Sequence, residues 1–183
     1  MAKASVYDIV AFFLALAQDV GESITHMKLQ KLLYYSQAWH IAMYGESLFD
    51  NKIEAWKLGP VCPEVYKEYK QFGSSSIPFP GDCPEMEGCL PIVEKRLDIG
   101  LVTFLRKIAD DYMSYSAYEL SSMTHNEQPW IDANIRQEEI TFDAMRAYYG
   151  ELVLTDEELD EIQEGQIAIQ SGFGLEWKPG MFS

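Results

Sequence analysis

The sequence predicts a mainly α, compact helical domain of about seven to eight helices with a short β element near residues 48–58. Apolar residues recur at three- and four-residue intervals in most segments, capping residues and glycines bound these segments, and only residues 48–58 alternate instead. A chain of 183 residues, 48% of them hydrophobic, suits one domain with a substantial core. We expect residues 1–150 to form this domain, and residues 151–183 to add an acidic helix and an aromatic tail packed on it.

The N-terminal segment has the features of an amphipathic helix. Ser5 and Asp8 resemble a capping box. Apolar residues then recur with helical spacing from Val6 to Val20, and Gly21 ends the pattern. This predicts a first helix with one face on the core.

The next segment, residues 28–43, is predicted to be a buried helix. Its apolar and aromatic side chains appear at nearly every angle of a helical projection, which is typical of a helix inside a domain. Thr25 is placed to cap this helix and Gly45 to end it. Gln30 and Gln37 fall about 20° apart on the projection, so two amides share one stripe. If buried, they need hydrogen-bond partners, which are more often neighbouring backbone groups than a ligand.

The middle of the chain changes pattern. Residues 48–58 alternate in polarity and predict a short β element, and Gly59-Pro60 follows it as a break. Pro63 suits the first turn of a further helix. Residues 73–91 are rich in Gly, Pro and Ser and predict a surface loop between two helical halves.

The second half is again helical. From Val93 the pattern predicts a long amphipathic helix that reaches Tyr112. Shorter helices are predicted after it: one capped by Ser116 with Glu119, one starting near residues 127–130, one over residues 142–149 capped by Thr141, and an acidic one capped by Thr155 with Glu158.

The charge argues against a nucleic-acid partner. The net charge is −15, and residues 151–183 alone hold eight acidic residues and one basic residue. Because nucleic-acid affinity comes largely from Lys and Arg, this surface would repel a phosphate backbone. A winged-helix DNA binder, which the mixture of helices and a short β element could suggest, is disfavoured for the same reason. Attraction to a basic protein is one interpretation, and simple solubility is another.

Targeting and metal-site signals are missing from the sequence. The apolar run over residues 9–17 is too short to span a membrane and has no cleavage site, so we expect a cytoplasmic protein without a membrane partner. Cys62, Cys83 and Cys89 should then be reduced. Their spacing suits no zinc site, and we assign no metal.

The sequence also lacks an arrangement typical of catalysis. His26, His40 and His125 lie in no metalloprotease or hydrolase motif, and no phosphate-binding glycine motif occurs, so no catalytic residue and no cofactor are assigned. A small hydrolase or transferase that uses His125 with Glu127 or Asp132 is the alternative from another class. A packing role for His125, bonded to neighbouring backbone, is the simpler interpretation.

Aromatic residues give the main physical indication of binding. They make up 13% of the chain, and although clustered rings usually build a core, they also dominate protein-binding hot spots. Residues 171–183 hold two Phe, a Leu, a Met and a Trp among glycines. A solvated tail rarely carries so much apolar surface, so it either packs back on the domain or docks into a partner.

Three blocks of sequence carry a resemblance to a known family. They are LQKLLYY at residues 29–35, AW-x-x-GPV at 55–61 and TH-x-x-x-PW at 124–130. Together they resemble the Panacea domain family, the SocA-like antitoxins of bacteria and of their phages and mobile elements, over roughly residues 5–150. The resemblance implies a non-enzymatic protein that binds a cognate toxin and neutralises it. The family's namesake instead delivers its toxin to an AAA+ protease, which is the alternative mechanism.

The blocks and the tail together supply the candidate partner contacts. The loop at 73–91 and everything after Gly150 lie outside the family pattern, and by analogy such variable parts would set toxin specificity. The candidate partner-binding residues are Gln30, Tyr34, Trp56, Gly59, Pro60, His125, Trp130, Phe173 and Trp177.

Overall fold

Helices dominate the structure, a computed structural model that describes residues 4–81, 88–154 and 176–177. These residues contain eight α-helices and two short antiparallel strand pairs, which confirms the mainly α fold class with a short β element. No helix among them is long and apolar enough to cross a membrane. The helices are α1 (Val6–Val20), α2 (His26–Tyr44), α3 (Pro63–Tyr69), α4 (Leu90–Glu94), α5 (Ile99–Tyr112), α6 (Ala117–His125), α7 (Gln128–Arg136) and α8 (Phe142–Gly150), and the strands are β1 (Glu54–Trp56), β2 (Gly59–Val61), β3 (Val153–Leu154) and β4 (Glu176–Trp177).

Helix α2 is the centre of the domain. Every residue from Lys28 to Ile41 is buried, and the helix contacts α1, α3, α5, α6, α8 and β2. The side chain of Thr25 accepts the first N–H bond, from Lys28, and Gly45 ends the helix in the left-handed conformation. The prediction of a helix surrounded by the rest of the domain is therefore confirmed.

Polar groups on α2 fasten the neighbouring segments to it. The Oε1 of Gln37 accepts hydrogen bonds from the backbone N–H groups of Leu48 (2.9 Å) and Phe49 (3.2 Å), and its Nε2 donates to the Phe49 carbonyl (3.0 Å). This confirms the expected bonding of Gln37 to backbone. The indole N–H of Trp39 donates to the hydroxyl of Tyr112 at 2.7 Å, which joins α2 to α5.

The predicted first helix is confirmed with Ser5 as its cap, although the capping box with Asp8 does not form. The helix predicted from Val93 is wrong in its extent. Ser5 caps α1 through the N–H of Tyr7. The later segment divides into α4 and α5, because the Asp98 side chain accepts a hydrogen bond from Gly100 N and starts a new helix. The helical spacing of apolar residues continues across this break, so it hid the second cap.

The β element is a hairpin that lies further along the chain than predicted. Glu54 pairs with Val61, Ala55 with Pro60 and Trp56 with Gly59, around a two-residue turn. Gly59-Pro60 is therefore strand β2 rather than a break. The outer side of the hairpin is fastened to the segment after α7, where Ile140 N donates to the Ile53 carbonyl at 2.8 Å.

The caps of the last helices agree with the sequence. Ser116 and Glu119 form the predicted capping box of α6, and Thr141 caps α8 through Ala144 N. The backbone of residues 176–177 pairs with β3. The predicted helix capped by Thr155 lies outside the described residues.

The cysteines differ from the expectation of reduced thiols. Cys89 is disulfide-bonded, whereas Cys62 is free and buried. The expectation of reduced thiols was based on the reducing environment of the cytoplasm. Whether a disulfide can form also depends on the distance between two sulfur atoms, which that argument does not address.

Candidate functional site

The three blocks of sequence, far apart in the chain, meet at the β1–β2 hairpin. From the first block, the Lys31 ammonium donates to the Pro60 carbonyl at 3.0 Å. From the third, the Trp130 indole N–H donates to the Trp56 carbonyl at 3.1 Å. The Oε1 of Gln30 accepts from the backbone N–H just after the hairpin, at Cys62 (2.7 Å). Helices α2 and α7 thus hold the hairpin between them.

Gly59 allows the hairpin to approach α2 and α6 closely. Its φ angle is +99°, a region that residues with a side chain rarely adopt. A Cβ atom there would lie 2.6 Å from Cε of Lys31 and 2.8 Å from Oγ1 of Thr124. The first, second and third blocks therefore touch at this one position.

A buried carboxyl group with three tyrosine partners lies behind the hairpin. Glu127 is 2% exposed. Its Oε2 accepts hydrogen bonds from the hydroxyls of Tyr34 (2.9 Å) and Tyr149 (2.7 Å), and its Oε1 accepts from Tyr35 (2.8 Å). Burial raises the pKa of Glu127 to about 7, although the three hydroxyl donors act in the opposite direction. The cluster joins α2, α7 and α8 through one side chain.

Lys31 is the second buried ionisable group of the site. It is 1% exposed, and burial lowers its pKa to about 7. Its positive charge is close enough to lower the pKa values of His26 and His125, after the larger effect of burial on each. A lysine in this state is uncommon, and such groups concentrate at functional sites.

His125 has the surroundings of a packing residue. Its ring lies 4.1 Å from the Trp130 ring, between centroids, and is hydrogen-bonded to the backbone of Lys57. Burial lowers its pKa and favours the neutral imidazole. Glu127 is engaged with tyrosines, and Asp132 accepts from Gln128 (2.6 Å), so neither carboxyl group orients His125 as a base.

Trp56 separates two concave surfaces and lines both. On one side is an open cleft of about 770 Å³, and on the other a cavity of about 400 Å³. The indole N–H donates to Glu54 (2.8 Å), and the ring contacts Tyr66 edge-on. Residues that line the cleft include Lys52, Glu54, Trp130, Glu138 and Glu139, and residues that line the cavity include His26, Gln30, Lys31, Val61 and Tyr66.

The predicted partner residues fall into three groups. Gln30, Tyr34, Gly59 and Pro60 are buried and hold the hairpin and Glu127 in place. Trp56, His125 and Trp130 are half-buried and reach the surface around the hairpin. Phe173 lies outside the described residues, and only the backbone of Trp177 is described, paired with Val153.

Sequence reasoning missed Lys31 and Tyr149 as members of the site, and it named Glu127 only as a possible catalytic partner of His125, not as the centre of a tyrosine cluster. Two of them carried a signal: Lys31 is a cation within a helix that is apolar on every side, and Glu127 lies within the third block. Tyr149 carried no such signal in the sequence, because it lies next to Glu127 only when α8 is packed in the folded domain. In residues 4–81, 88–154 and 176–177, no three His, Cys, Asp or Glu side chains cluster as metal ligands would.

Comparisons with known proteins confirm the resemblance that the three blocks carry. The family model "Antitoxin SocA-like, Panacea domain" matches residues 29–131, more than half of the chain, and this range contains all three blocks. Antitoxin SocA of Caulobacter vibrioides (strain NA1000 / CB15N) is 39% identical over 54 residues, which cover 30% of this chain and 29% of that protein. The chain therefore aligns with less than a third of this relative. No solved structure matches.

Substitution of Gly59 tests the close approach of the hairpin. Gly59→Ala should lower the free energy of unfolding by about 2–4 kcal/mol, since it combines backbone strain with a clash against Lys31 and Thr124. Gly45→Ala is the matched control: its φ is +70°, but a Cβ atom would meet nothing within 4 Å, so a loss of about 1 kcal/mol is expected. Urea unfolding measures both. Equal losses would contradict the close contact.

The buried carboxyl group predicts a specific dependence of stability on pH. Between pH 4.5 and about 7 the unfolded chain loses the Glu127 proton while the folded chain keeps it, so the free energy of unfolding decreases as the pH rises. Above about pH 7 the loss is complete and amounts to about 3 kcal/mol. Glu127→Gln should remove this contribution, so the variant gains stability relative to wild type as the pH rises from 4.5 to 8.

A control for this experiment is Glu119→Gln. Hydrogen bonds from Ser116 lower the pKa of Glu119, so this exposed carboxylate stabilises the fold above its unfolded pKa of 4.5 and loses that contribution only as the pH falls below this value. Between pH 5 and 8 its removal should therefore leave a nearly constant difference from wild type. Urea unfolding at pH 5, 6, 7 and 8 distinguishes the two. A constant difference between Glu127→Gln and wild type would show that the carboxyl group titrates normally.

Proposed function

The chain belongs to the SocA-like Panacea domain family of antitoxins, and we propose that it neutralises a cognate protein toxin by direct binding. The observation that carries this proposal is the convergence of all three blocks on the β1–β2 hairpin, where Trp56 and Trp130 border an open cleft. A cytoplasmic encounter with the toxin is part of the proposal.

The cleft has the chemistry of a protein-binding surface. Two half-buried indole rings supply large apolar contact area, and tryptophan is enriched in binding hot spots. Charged groups surround them, and one pair, Lys52 with Glu139 (2.9 Å), is already neutralised within the chain. The cleft is only slightly acidic. In this proposal the net charge of the whole chain, −15, attracts a basic toxin at long range, and the two indole rings make the apolar contact with the toxin in the cleft.

The position of the cleft is fixed before any partner arrives. The Trp130 indole N–H donates to the Trp56 carbonyl at the end of β1, and Ile140 N donates to the Ile53 carbonyl just before the start of β1. A surface that is already ordered loses little conformational entropy on binding, so more of the contact energy appears as affinity. In this proposal the buried residues Gln30, Tyr34, Gly59 and Pro60 contribute indirectly, by holding that surface.

Delivery of the toxin to an AAA+ protease is the alternative mechanism within the same function. It would use the same toxin-binding surface and add a second partner. The hydrolase or transferase alternative is less favoured, because His125 is bonded to backbone and neither nearby carboxyl group orients it.

Co-expression with the product of the neighbouring gene tests the proposal. The wild-type chain should restore growth, whereas Trp56→Ala and Trp130→Ala should raise the Kd for the toxin at least about thirtyfold, because each removes a hot-spot ring worth about 2 kcal/mol. Tyr118→Ala is the matched control, since Tyr118 is 78% exposed and lines neither the cleft nor the cavity. Thermal melts confirm that each variant is folded. Full neutralisation by both tryptophan variants would refute the assigned surface.

Protease dependence distinguishes direct neutralisation from delivery. In a strain that lacks its AAA+ proteases, we expect the wild-type chain to protect cells as well as in the parent strain, because binding alone blocks the toxin. Growth curves with an induced toxin measure this. Loss of protection in the deletion strain would favour the adaptor mechanism, while leaving the binding surface itself unaffected.

A further inference from the structure

The cavity behind Trp56 has properties that toxin binding at the cleft does not use. It is a half-open cavity of about 400 Å³ between α2, the hairpin and α3, and this volume is within the range of small-molecule sites. Trp56, Val61 and Tyr66 supply apolar and aromatic walls. Gln30 and Lys31 lie at the α2 side and are almost fully buried. The cavity is thus apolar with one polar end.

The polar end presents a hydrogen-bond donor without a partner. Gln30 is 2% exposed, and its Oε1 accepts from Cys62 N at 2.7 Å, which fixes the orientation of the amide. Its Nε2 is therefore the NH₂ group, and this buried nitrogen has no hydrogen-bond partner among the described residues. A buried donor left unpaired destabilises the fold, and an acceptor from a ligand would offset this loss.

Lys31 supplies a second donor at the same end. An ammonium group has three N–H bonds, and the Pro60 carbonyl accepts one of them, at 3.0 Å. Burial lowers the pKa of Lys31 to about 7, so a bound anion would favour the charged form. Nδ1 of His26, which also lines the cavity, is buried and has no partner among the described residues. Each of these groups can donate a hydrogen bond.

The charge of the wall is opposite to that of the protein. The chain carries −15, yet the residues that line the cavity include Lys31, Lys57 and His26 and no Asp or Glu. An anion that enters the cavity therefore meets the exposed Lys57, the protonated form of Lys31 and hydrogen-bond donors, in a protein that is otherwise acidic. A cation would find no carboxylate there.

We propose that this cavity binds a carboxylate attached to an apolar or aromatic group, with the carboxylate at Gln30 Nε2 and Lys31 Nζ and the apolar group against Trp56 and Tyr66. Carboxylate oxygens accept several hydrogen bonds at once, which matches a set of donors. Phosphate fits less well, because its higher charge and stronger hydration disfavour an apolar wall. The site shares Trp56 and Lys57 with the cleft but lies on the other side of Trp56, and the proposal does not depend on the antitoxin function.

Two sources could supply this chemistry: a free organic acid, or the C-terminal carboxylate of a polypeptide that ends in an apolar residue. Both would place one carboxylate at the polar end and one apolar group against the rings. Phenylacetate represents the first source. The peptide acetyl-Gly-Gly-Phe with a free C-terminus represents the second.

Calorimetric titration of the full chain tests the proposal. Phenylacetate should bind at least about tenfold more tightly than phenylacetamide, since a hydrogen bond to a charged group adds about 1.5–3 kcal/mol. The peptide acid is compared in the same way with its C-terminal amide. Tighter binding of the peptide acid than of phenylacetate would support the proposal and assign the polypeptide source, and the reverse would support it and assign the free acid.

Gln30→Glu is the matched variant. It keeps an oxygen that accepts from Cys62 N but replaces the free donor with a negative charge, so it should reduce carboxylate binding at least about tenfold. Tyr118→Ala should bind like wild type. If Gln30→Glu does not fold, the acid and amide comparison on the wild-type chain still decides. Equal binding of acid and amide, or no binding of either acid at millimolar concentration, would overturn the proposal, whatever the outcome of the co-expression test.

Discussion

Burial of helix α2 from Lys28 to Ile41 requires that each polar side chain it carries find a partner inside the domain. These partners determine where the other elements lie. Gln37 bonds to the segment after the helix, Lys31 to the hairpin, and Tyr34 to Glu127 at the start of α7. An amide, an ammonium and a hydroxyl therefore position three separate parts of the chain. Apolar packing alone would allow these parts to shift along the helix, whereas hydrogen bonds specify one arrangement.

The same requirement explains why the proposed binding surface is ordered without its partner. The hairpin is held by α2 at β2, through Lys31 and the Pro60 carbonyl, and by Trp130 and the residues after α7 along β1. This arrangement includes two buried ionisable groups, Glu127 and Lys31, which lower the stability of the fold. Burial shifts the pKa of each of them toward 7. Buried ionisable groups reduce stability, and groups with strongly shifted pKa values concentrate at functional sites, where side chains must be held in one position. Here that geometry is the position of Trp56 between the cleft and the cavity.

Much of this fold could be predicted from the sequence, because its signals are local. The caps at Ser5, Thr25, Ser116 and Thr141 depend on side chains a few residues from the N–H groups they satisfy. The break between α4 and α5 was missed, since the apolar spacing runs across it. The predicted position of the β element was wrong because Gly59-Pro60 usually interrupts structure. The positive φ angle of Gly59 and its contacts with Lys31 and Thr124 explain a glycine inside the strand, and they exist only in the folded domain.

The site was less predictable for a physical reason: its central interactions join residues far apart in the chain. Trp56 and Trp130 were predicted to be binding residues, but the hydrogen bond from the Trp130 indole to the Trp56 carbonyl forms only in the folded hairpin. The partners of Glu127 come from α2 and α8, and Tyr149 lies outside the residues that the family model matches. No spacing in the sequence encodes such a contact.

Hydrogen–deuterium exchange of the chain, alone and with its toxin, tests the central claim most directly. If the hairpin and the adjoining segment form the binding surface, the toxin should slow exchange in residues 54–61 and 128–139 more than elsewhere in the domain. Slowed exchange confined to residues 73–91 or to those after Gly150, with the hairpin unchanged, would contradict the account. It would place toxin recognition in the parts of the chain that lie outside the three blocks.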